Sequence, residues 1–271
     1  MTIGYLRREQ TFAAAHHYKL PWLDEAEAAR LFGPLSIHGH NYVLHVTIRG
    51  EISDDHGMVE NLKTIKSVIV DRVIAELDRK FLNDDVAYFK DKSPTLENLA
   101  GFIWERLEPA YPNGALHEIR ITEEPELYLD KKAGSDDMFL TRGYHFCAAH
   151  RLHQASLSDE ENRALFGKCT NPSGHGHNYR VEVTVKGDVD ARTGTICNIS
   201  DIDKLVDEKV IDYLDHMHLN CDIPEFADMN PTAENIARVI WERLGPKPGG
   251  AALHRVRLHE TDRNVADYYG E

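Results

Sequence analysis

His38-Gly39-His40-Asn41-Tyr42 and His175-Gly176-His177-Asn178-Tyr179 are the same five residues, 137 positions apart. Each follows a Phe-x-Ala-Ala-His stretch, Phe12 to His16 before the first and Phe146 to His150 before the second. On a β-strand, residues i and i+2 share a face, so each His-x-His pair presents two imidazoles side by side. A third imidazole from a neighbouring strand completes a set: His16, His38 and His40, then His150, His175 and His177. Zinc held by three protein ligands keeps a fourth position open for water or substrate, the catalytic rather than the structural arrangement. A lone strand histidine is more often a hydrogen-bonded residue than a ligand, but a triplet repeated at matching places calls for a metal. Zinc is expected in the second triplet, with a second ion also possible in the first.

Outward from the histidines the whole chain is duplicated. Gly50-Glu51-Ile52 falls on Gly187-Asp188-Val189, and His56-Gly57-Met58-Val59 on Thr193-Gly194-Thr195-Ile196. Pro94-Thr95-Leu96-Glu97-Asn98 matches Pro231-Thr232-Ala233-Glu234-Asn235, and Ile103 to Leu107 matches Ile240 to Leu244. A period this long is a domain, not a solenoid repeat. The expected division is a first domain over 1–129, a linker over 130–140 and a second domain over 141–271. Tyr42 to Ile48 and Tyr179 to Val185 alternate as strands do, with partners expected at Gly4 to Ala14 and Arg142 to Ala149. Leu62 to Leu77 and Ile202 to Leu214 have helical apolar spacing, and a second helix follows each Pro-Thr. Leu116 to Thr122 and Leu253 to His259 close each half as strands. Strands grouped with helices predict an α+β fold rather than a doubly wound sheet.

A net charge of −14 argues against nonspecific binding to nucleic acid or to an anionic membrane. No apolar run approaches a membrane span, and Met1 to Glu9 has no secretion-signal core. The four cysteines, Cys147, Cys169, Cys197 and Cys221, form no Cys-x-x-Cys pair and are read as free thiols, so a cytoplasmic location is expected.

Three further features of the second half carry chemistry. Cys169 stands six residues before His175 in a loop rich in Asn, Pro, Ser and Gly. Such a loop can bring a thiol near a metal, and the ion and Lys168 would both lower its pKa. Otherwise it is a small buried hydrophobe. Asp215-His216 ends a helix, as a proton relay or as an ordinary cap. Glu260, in the last strand, is either a solvated carboxylate or an acceptor for an aminopyrimidine edge.

Phe146-x-Ala-Ala-His150-Arg151-Leu152, Gly167-Lys168-Cys169 to Tyr179, Leu214-Asp215-His216, Pro231 to Asn235 and Glu260-Thr261-Asp262 together resemble the 6-pyruvoyl-tetrahydropterin synthase family. The resemblance covers the second half and, more weakly, the first. It implies two tandem T-fold domains, each an antiparallel four-stranded sheet backed by two helices, assembling through sheet edges. It also implies 7,8-dihydroneopterin triphosphate as substrate. Zinc would be held by His150, His175 and His177, one ion per competent domain. Cys169 would be the base and Asp215-His216 a proton relay. Glu260 would anchor the pterin with Thr232 nearby. Lys168, Arg151 and Arg180 are candidates for the triphosphate by charge alone.

The first half departs from this pattern. It keeps His16, His38 and His40, and Glu123 stands in register with Glu260. Its loop Leu31 to His38 is three residues shorter and lacks a cysteine, and Arg79 follows Asp78 where His216 follows Asp215. It is therefore expected to bind metal and even pterin, yet not to complete the reaction alone. In the family the active site lies at subunit contacts, so residues of one domain or chain could complete a site in another; a homotrimer would supply six T-fold units. The first rival is the 6-carboxy-tetrahydropterin synthase of the queuosine pathway, whose shorter Cys-x3-His-Gly-His spacing differs from Cys169-x5-His175. Dihydroneopterin-aldolase-like relatives carry a loop Glu that is absent here. A pterin- or metal-binding module without turnover is the rival from another class, and purely structural zinc is disfavoured by three nitrogen ligands without a fourth.

Overall fold

The computed structural model describes all 271 residues, which form two compact units. The first comprises Met1–Thr141 with Lys186–Ser200, the second Arg142–Val185 with Asp201–Glu271.

The first unit opens with strand β1 (Ile3–His16), followed by helix α1 (Glu25–Phe32) and strand β2 (His38–Glu51). β1 and β2 pair antiparallel without a bulge from Ile3↔Glu51 to His16↔His38. α1 begins where the Asp24 side chain accepts the Glu27 N–H and stops at Gly33, whose φ of 72° suits a residue without Cβ. Helix α2 (Leu62–Ile69) starts on an Asn61 cap and runs through a π turn, Val70–Ile74, to Leu77. Helix α3 (Leu96–Leu107) starts on Thr95, whose side chain accepts the Asn98 N–H. Strands β3 (Gly114–Glu124) and β4 (Leu127–Lys132) complete an antiparallel sheet in the order β4–β3–β2–β1. Leu44, Val46 and Ile48 of β2 and Leu99, Ile103 and Leu107 of α3 are all buried in the core of the unit. Each such side chain stabilises the fold by about 1.5–3 kcal/mol relative to leaving it in water.

The second unit repeats the plan with strand β5 (Met138–His150), helix α4 (Asp159–Phe166), strand β6 (His175–Gly187), helices α5 (Ile199–Val206) and α6 (Ala233–Leu244), and strands β7 (Ala252–Thr261) and β8 (Asn264–Tyr268). Its strands lie in the order β8–β7–β6–β5. Even the π turn recurs, at Asp207–Ile211. Each unit is thus the four-stranded antiparallel sheet with two principal helices that the family resemblance implies, one strand more than the periodicity alone predicts.

Three details differ from the sequence reading. Most of the expected linker 130–140 is strand: β4 reaches Lys132 and β5 begins at Met138, because Leu129, Leu140 and Met138 have core to cover. The charged residues that suggested a loop lie on the solvent side or pair, as Arg120 does with Asp130. Lys186–Ser200 packs with the first unit although its flanks belong to the second. α1 and α4 are short, capped helices with a weak apolar stripe, which periodicity did not reveal. No helix is long and apolar enough to cross a membrane.

Candidate functional site

In the first unit the β1–β2 register sets His16 opposite His38 and Ala14 opposite His40. Phe12 stacks on Tyr42 one step below, with ring centroids 4.9 Å apart. The three imidazoles therefore converge on the buried face at the end of the hairpin, and the second unit does the same with His150, His175 and His177 above stacked Phe146 and Tyr179. In each triad one nitrogen per ring lies within 4.8 Å of the other two.

Hydrogen bonds on the far side of two of the rings leave their converging nitrogens as acceptors. His150 Nδ1–H donates to the Pro231 carbonyl at 2.8 Å, leaving Nε2 as a lone pair 3.2 Å from His175 Nε2. In the first unit a different partner does this: His16 Nδ1 meets the Tyr42 hydroxyl at 3.2 Å, and that hydroxyl donates to Glu123 at 3.3 Å. His16 Nε2, His40 Nε2 and His177 Nε2 are buried without a hydrogen-bond partner. Buried polar atoms left so are costly unless something absent from the protein satisfies them. Burial, then the neighbouring His38 and His40, push His16 down to about 3, and burial also lowers His40, His150 and His177. Converging ring nitrogens, with His16 and His150 anchored through their far nitrogens, fit a cation, and both triads could hold one.

Around the second triad, Glu260 Oε1 lies 3.6 Å from His150 Nε2 and 3.7 Å from His177 Nε2. Its other oxygen accepts from Asn264 at 3.2 Å. Glu123 holds the equivalent place beside His40 at 3.8 Å. Cys169 sits in a 3-10 turn, Gly167–Thr170, fastened by Leu152 N–H to the Cys169 carbonyl at 2.9 Å. It is close enough to Glu260 and Tyr179 for their charges to interact. Burial and then Glu260 push the Cys169 thiol up, and Lys168 does not lower it. Thr232 caps α6 next to Pro231, one residue from the carbonyl that orients His150.

Asp215-His216 is not in this cluster. Gly176 and Asn178 alternate with the ligand histidines and so face the other side of β6. His216 lines a cleft of about 570 Å³ with Cys147, Ala149, Gly176 and Asn178, and His177 of the triad borders the same cleft. Asp215 accepts the Cys147 N–H at 2.7 Å and His216 Nδ1–H at 2.7 Å, and both bonds hold its carboxyl below the usual range. His216 donates its own N–H to the Cys147 carbonyl at 2.6 Å with φ of 59°. The first unit reproduces the clamp: Asp78 accepts from Ala13 N–H, Arg79 donates to the Ala13 carbonyl, and Arg79 has φ of 57°. Left-handed backbone at a bulky residue is strained. Its persistence at Arg79 shows that the clamp holds the loop to the strand whichever side chain follows.

Of the triphosphate candidates, Arg180 is paired with Glu182 and, lying between Tyr179 and Val181 on the strand, points away from the triad. Arg151 is tied to the Thr170 carbonyl beside the Cys169 turn, and Lys168 lines a cleft of about 630 Å³ with Arg163. Sequence reasoning missed the Pro231 carbonyl and the tyrosine relay. The repeat of Tyr42 at Tyr179 within the motif was the available signal for the latter; a backbone carbonyl leaves none.

Comparison with known proteins bears on this geometry. The family described as 6-pyruvoyl tetrahydropterin synthase matches residues 5–132 and again 139–271. The chain is 47% identical over 133 residues to a 6-pyruvoyl tetrahydrobiopterin synthase of Poecilia reticulata, covering 49% of this chain and 90% of that protein. It is 47% identical over 132 residues to the human protein of the same description, covering 49% and 91%. A solved structure of Caenorhabditis elegans 6-pyruvoyl tetrahydropterin synthase is 37% identical, covers 50% of this chain and 96% of its own, and has a TM-score of 0.47.

Proposed function

The chain belongs to the 6-pyruvoyl tetrahydropterin synthase family, and from that premise we propose that its second unit converts 7,8-dihydroneopterin triphosphate to 6-pyruvoyl-tetrahydropterin with release of triphosphate. The family is one of lyases. The observation that carries the reading is that three converging imidazole nitrogens stand beside the Glu260 carboxylate in the second unit, whose loop holds Cys169 within electrostatic reach of Glu260, whereas the first has no thiol at the equivalent place.

His150, His175 and His177 would hold Zn²⁺ through Nε2, and the ion would supply Lewis-acid polarisation of the substrate's side-chain oxygens. Cys169, once a thiolate, takes the proton from the side-chain carbon beside those oxygens. Glu260 accepts hydrogen bonds from the amino and ring N–H groups of the pterin, so a substrate lacking that edge leaves a half-buried carboxylate oxygen without those donors. Thr232, beside the His150 anchor, borders the pterin. Asp215 keeps His216 oriented as a proton donor and acceptor, but on the opposite face of its own sheet. It therefore serves a site supplied by a neighbouring copy in an assembly, for which three chains would give six units. The acidic surface and free thiols suit a reducing cytoplasm.

The test is product identity. Zinc-loaded chain incubated with 7,8-dihydroneopterin triphosphate should yield a pyruvoyl pterin by mass spectrometry. Acetaldehyde with a carboxy pterin would move the chain to the other branch of the superfamily, and bound but unchanged pterin would make it a binding module.

A further inference from the structure

Tyr18, the second residue after His16, fills the space beside the first triad. Its ring stacks on Phe32, the last residue of α1, with centroids 4.3 Å apart and planes inclined at 13°. The same ring lies 4.9 Å from that of His16 and 5.9 Å from that of His38. Its hydroxyl end is desolvated and within reach of the charges of Glu123 and then Glu97. Glu123 is further engaged by the Tyr42 hydroxyl, which donates to it at 3.3 Å. Glu97 is closed over from the other side. Thr95 Oγ1–H donates to the Gly194 carbonyl at 2.6 Å and Ile196 N–H to Glu97 at 3.0 Å. These bonds seat the hairpin Asp190–Asn198 on the start of α3 and leave Glu97 3% exposed. At the rim of that seat Arg192 pairs with Glu27 at 2.6 Å.

The second unit is arranged otherwise. Counted from His16 and His150, Phe166 keeps the place of Phe32, but Leu152 stands at that of Tyr18. Leu152 has neither ring nor hydroxyl, and its backbone N–H fastens the Cys169 turn. The Tyr179 hydroxyl makes no hydrogen bond, where its counterpart Tyr42 serves Glu123. Glu234, the counterpart of Glu97, is exposed rather than buried. A ring of the chain itself therefore stands among the carboxylates of the first unit, and no equivalent ring stands in the second.

We propose that Tyr18 is a built-in occupant of the pocket beside the first triad: it lets His16, His38 and His40 hold an ion but shuts out pterin, so each chain takes pterin at its second unit alone. A flat ring on Phe32 with a hydroxyl near Glu123 supplies the shape and the donor that a pterin's aminopyrimidine edge would bring. Discrimination by an occupant needs no new charge, because the clash suffices. A tethered group competes at an effective concentration of about millimolar, so a pterin that would otherwise bind at about micromolar is weakened roughly a thousandfold. The triad itself is untouched, its three nitrogens staying within 4.8 Å of one another. This inference rests on the pterin chemistry proposed above, and it narrows the expectation that the first half binds even pterin.

The test counts pterins on zinc-loaded full-length chains by calorimetric titration with 7,8-dihydroneopterin, with zinc measured by atomic absorption on the same samples. The unaltered chain should bind a single pterin. Tyr18→Leu, which installs the residue of the second unit, should gain a second site at unchanged zinc content, and adding Glu123→Gln should remove that site again. Tyr18→Phe keeps the ring and should gain none. The inference is overturned if Tyr18→Leu gains no site, or if the unaltered chain already has two and loses one with Glu123→Gln. Should Tyr18→Leu fail to fold, Glu260→Gln decides with Tyr18 in place. Pterin binding weakened there by about tenfold or more supports exclusion from the first unit. A full-strength site that vanishes on adding Glu123→Gln overturns it. Pterin bound by none of these chains would overturn the reading of the second unit together with this one, so the two failures are told apart.

Discussion

The two units share a backbone down to the π turn and the strained residue after it, and differ in what they place on it. Both gather three histidines with a carboxylate beside them. Only the second has Cys169 near that carboxylate and His216 on its clamp; the first has a shorter loop and Arg79. The first, in turn, has its Thr95–Glu97 turn covered, whereas the equivalent turn of the second is open. A duplicated scaffold can thus keep its triad geometry, which strand alternation and register enforce, while one copy lacks the loop thiol proposed as the base. Strand geometry is shared by many residues; a thiol in a turn is one residue.

The largest expected difference lies in the base. Cys169→Ala should lower kcat by about 10²–10⁴-fold, the usual worth of a positioned proton acceptor, with zinc content by atomic absorption unchanged. The first unit has no counterpart whose loss should do the same; an Arg79→His exchange should add no turnover, because the thiol is still missing there. The anchors come next. Glu260→Gln should raise KM by about tenfold or more, since an amide cannot accept from the whole pterin edge, whereas Glu123→Gln should leave steady-state kinetics unchanged. Equal effects from the two would mean that both units turn over.

A smaller contrast concerns stability and pH. Burial pushes Glu97 up to about 7 from 4.5, so the folded chain keeps a proton there that the unfolded chain has released. Stability from this group is therefore greatest below about pH 4.5 and falls as pH rises to about 7, by roughly 1.4 kcal/mol per unit, levelling off above that. Glu97→Gln should remove the slope and stabilise the first unit by about 2–3 kcal/mol at pH 8 in denaturant titrations. Glu234→Gln, on an exposed residue, should do neither. The smallest effect is expected for Arg192→Ala, which removes only an exposed rim pair; urea midpoints should barely move.

Much of this was legible in the chain. The repeated His-Gly-His-Asn-Tyr announced both the duplication and the triads, because alternation fixes which side chains share a face whatever their tertiary setting. The apolar spacing of Leu62 to Leu77 and of Leu96 to Leu107 gave the helices. The linker was overextended, since Asp130, Lys131 and Lys132 resemble a loop by charge but are strand residues whose alternate neighbours are buried. The opposite-face position of His216 was not legible: adjacency to Asp215 says nothing about which side of a sheet a helix end reaches. Nor was the seat of Asp190–Asn198, because its bonds use a backbone carbonyl and N–H that every hairpin possesses.

The central claim, that one unit reacts and the other only binds, is tested most directly by removing one ligand from each triad in turn and measuring zinc and turnover on the same samples. His40→Ala and His177→Ala should each cost one zinc per chain, with pterin formation retained in the first and lost in the second. Comparable loss of turnover in both, or its survival in His177→Ala, would contradict the account.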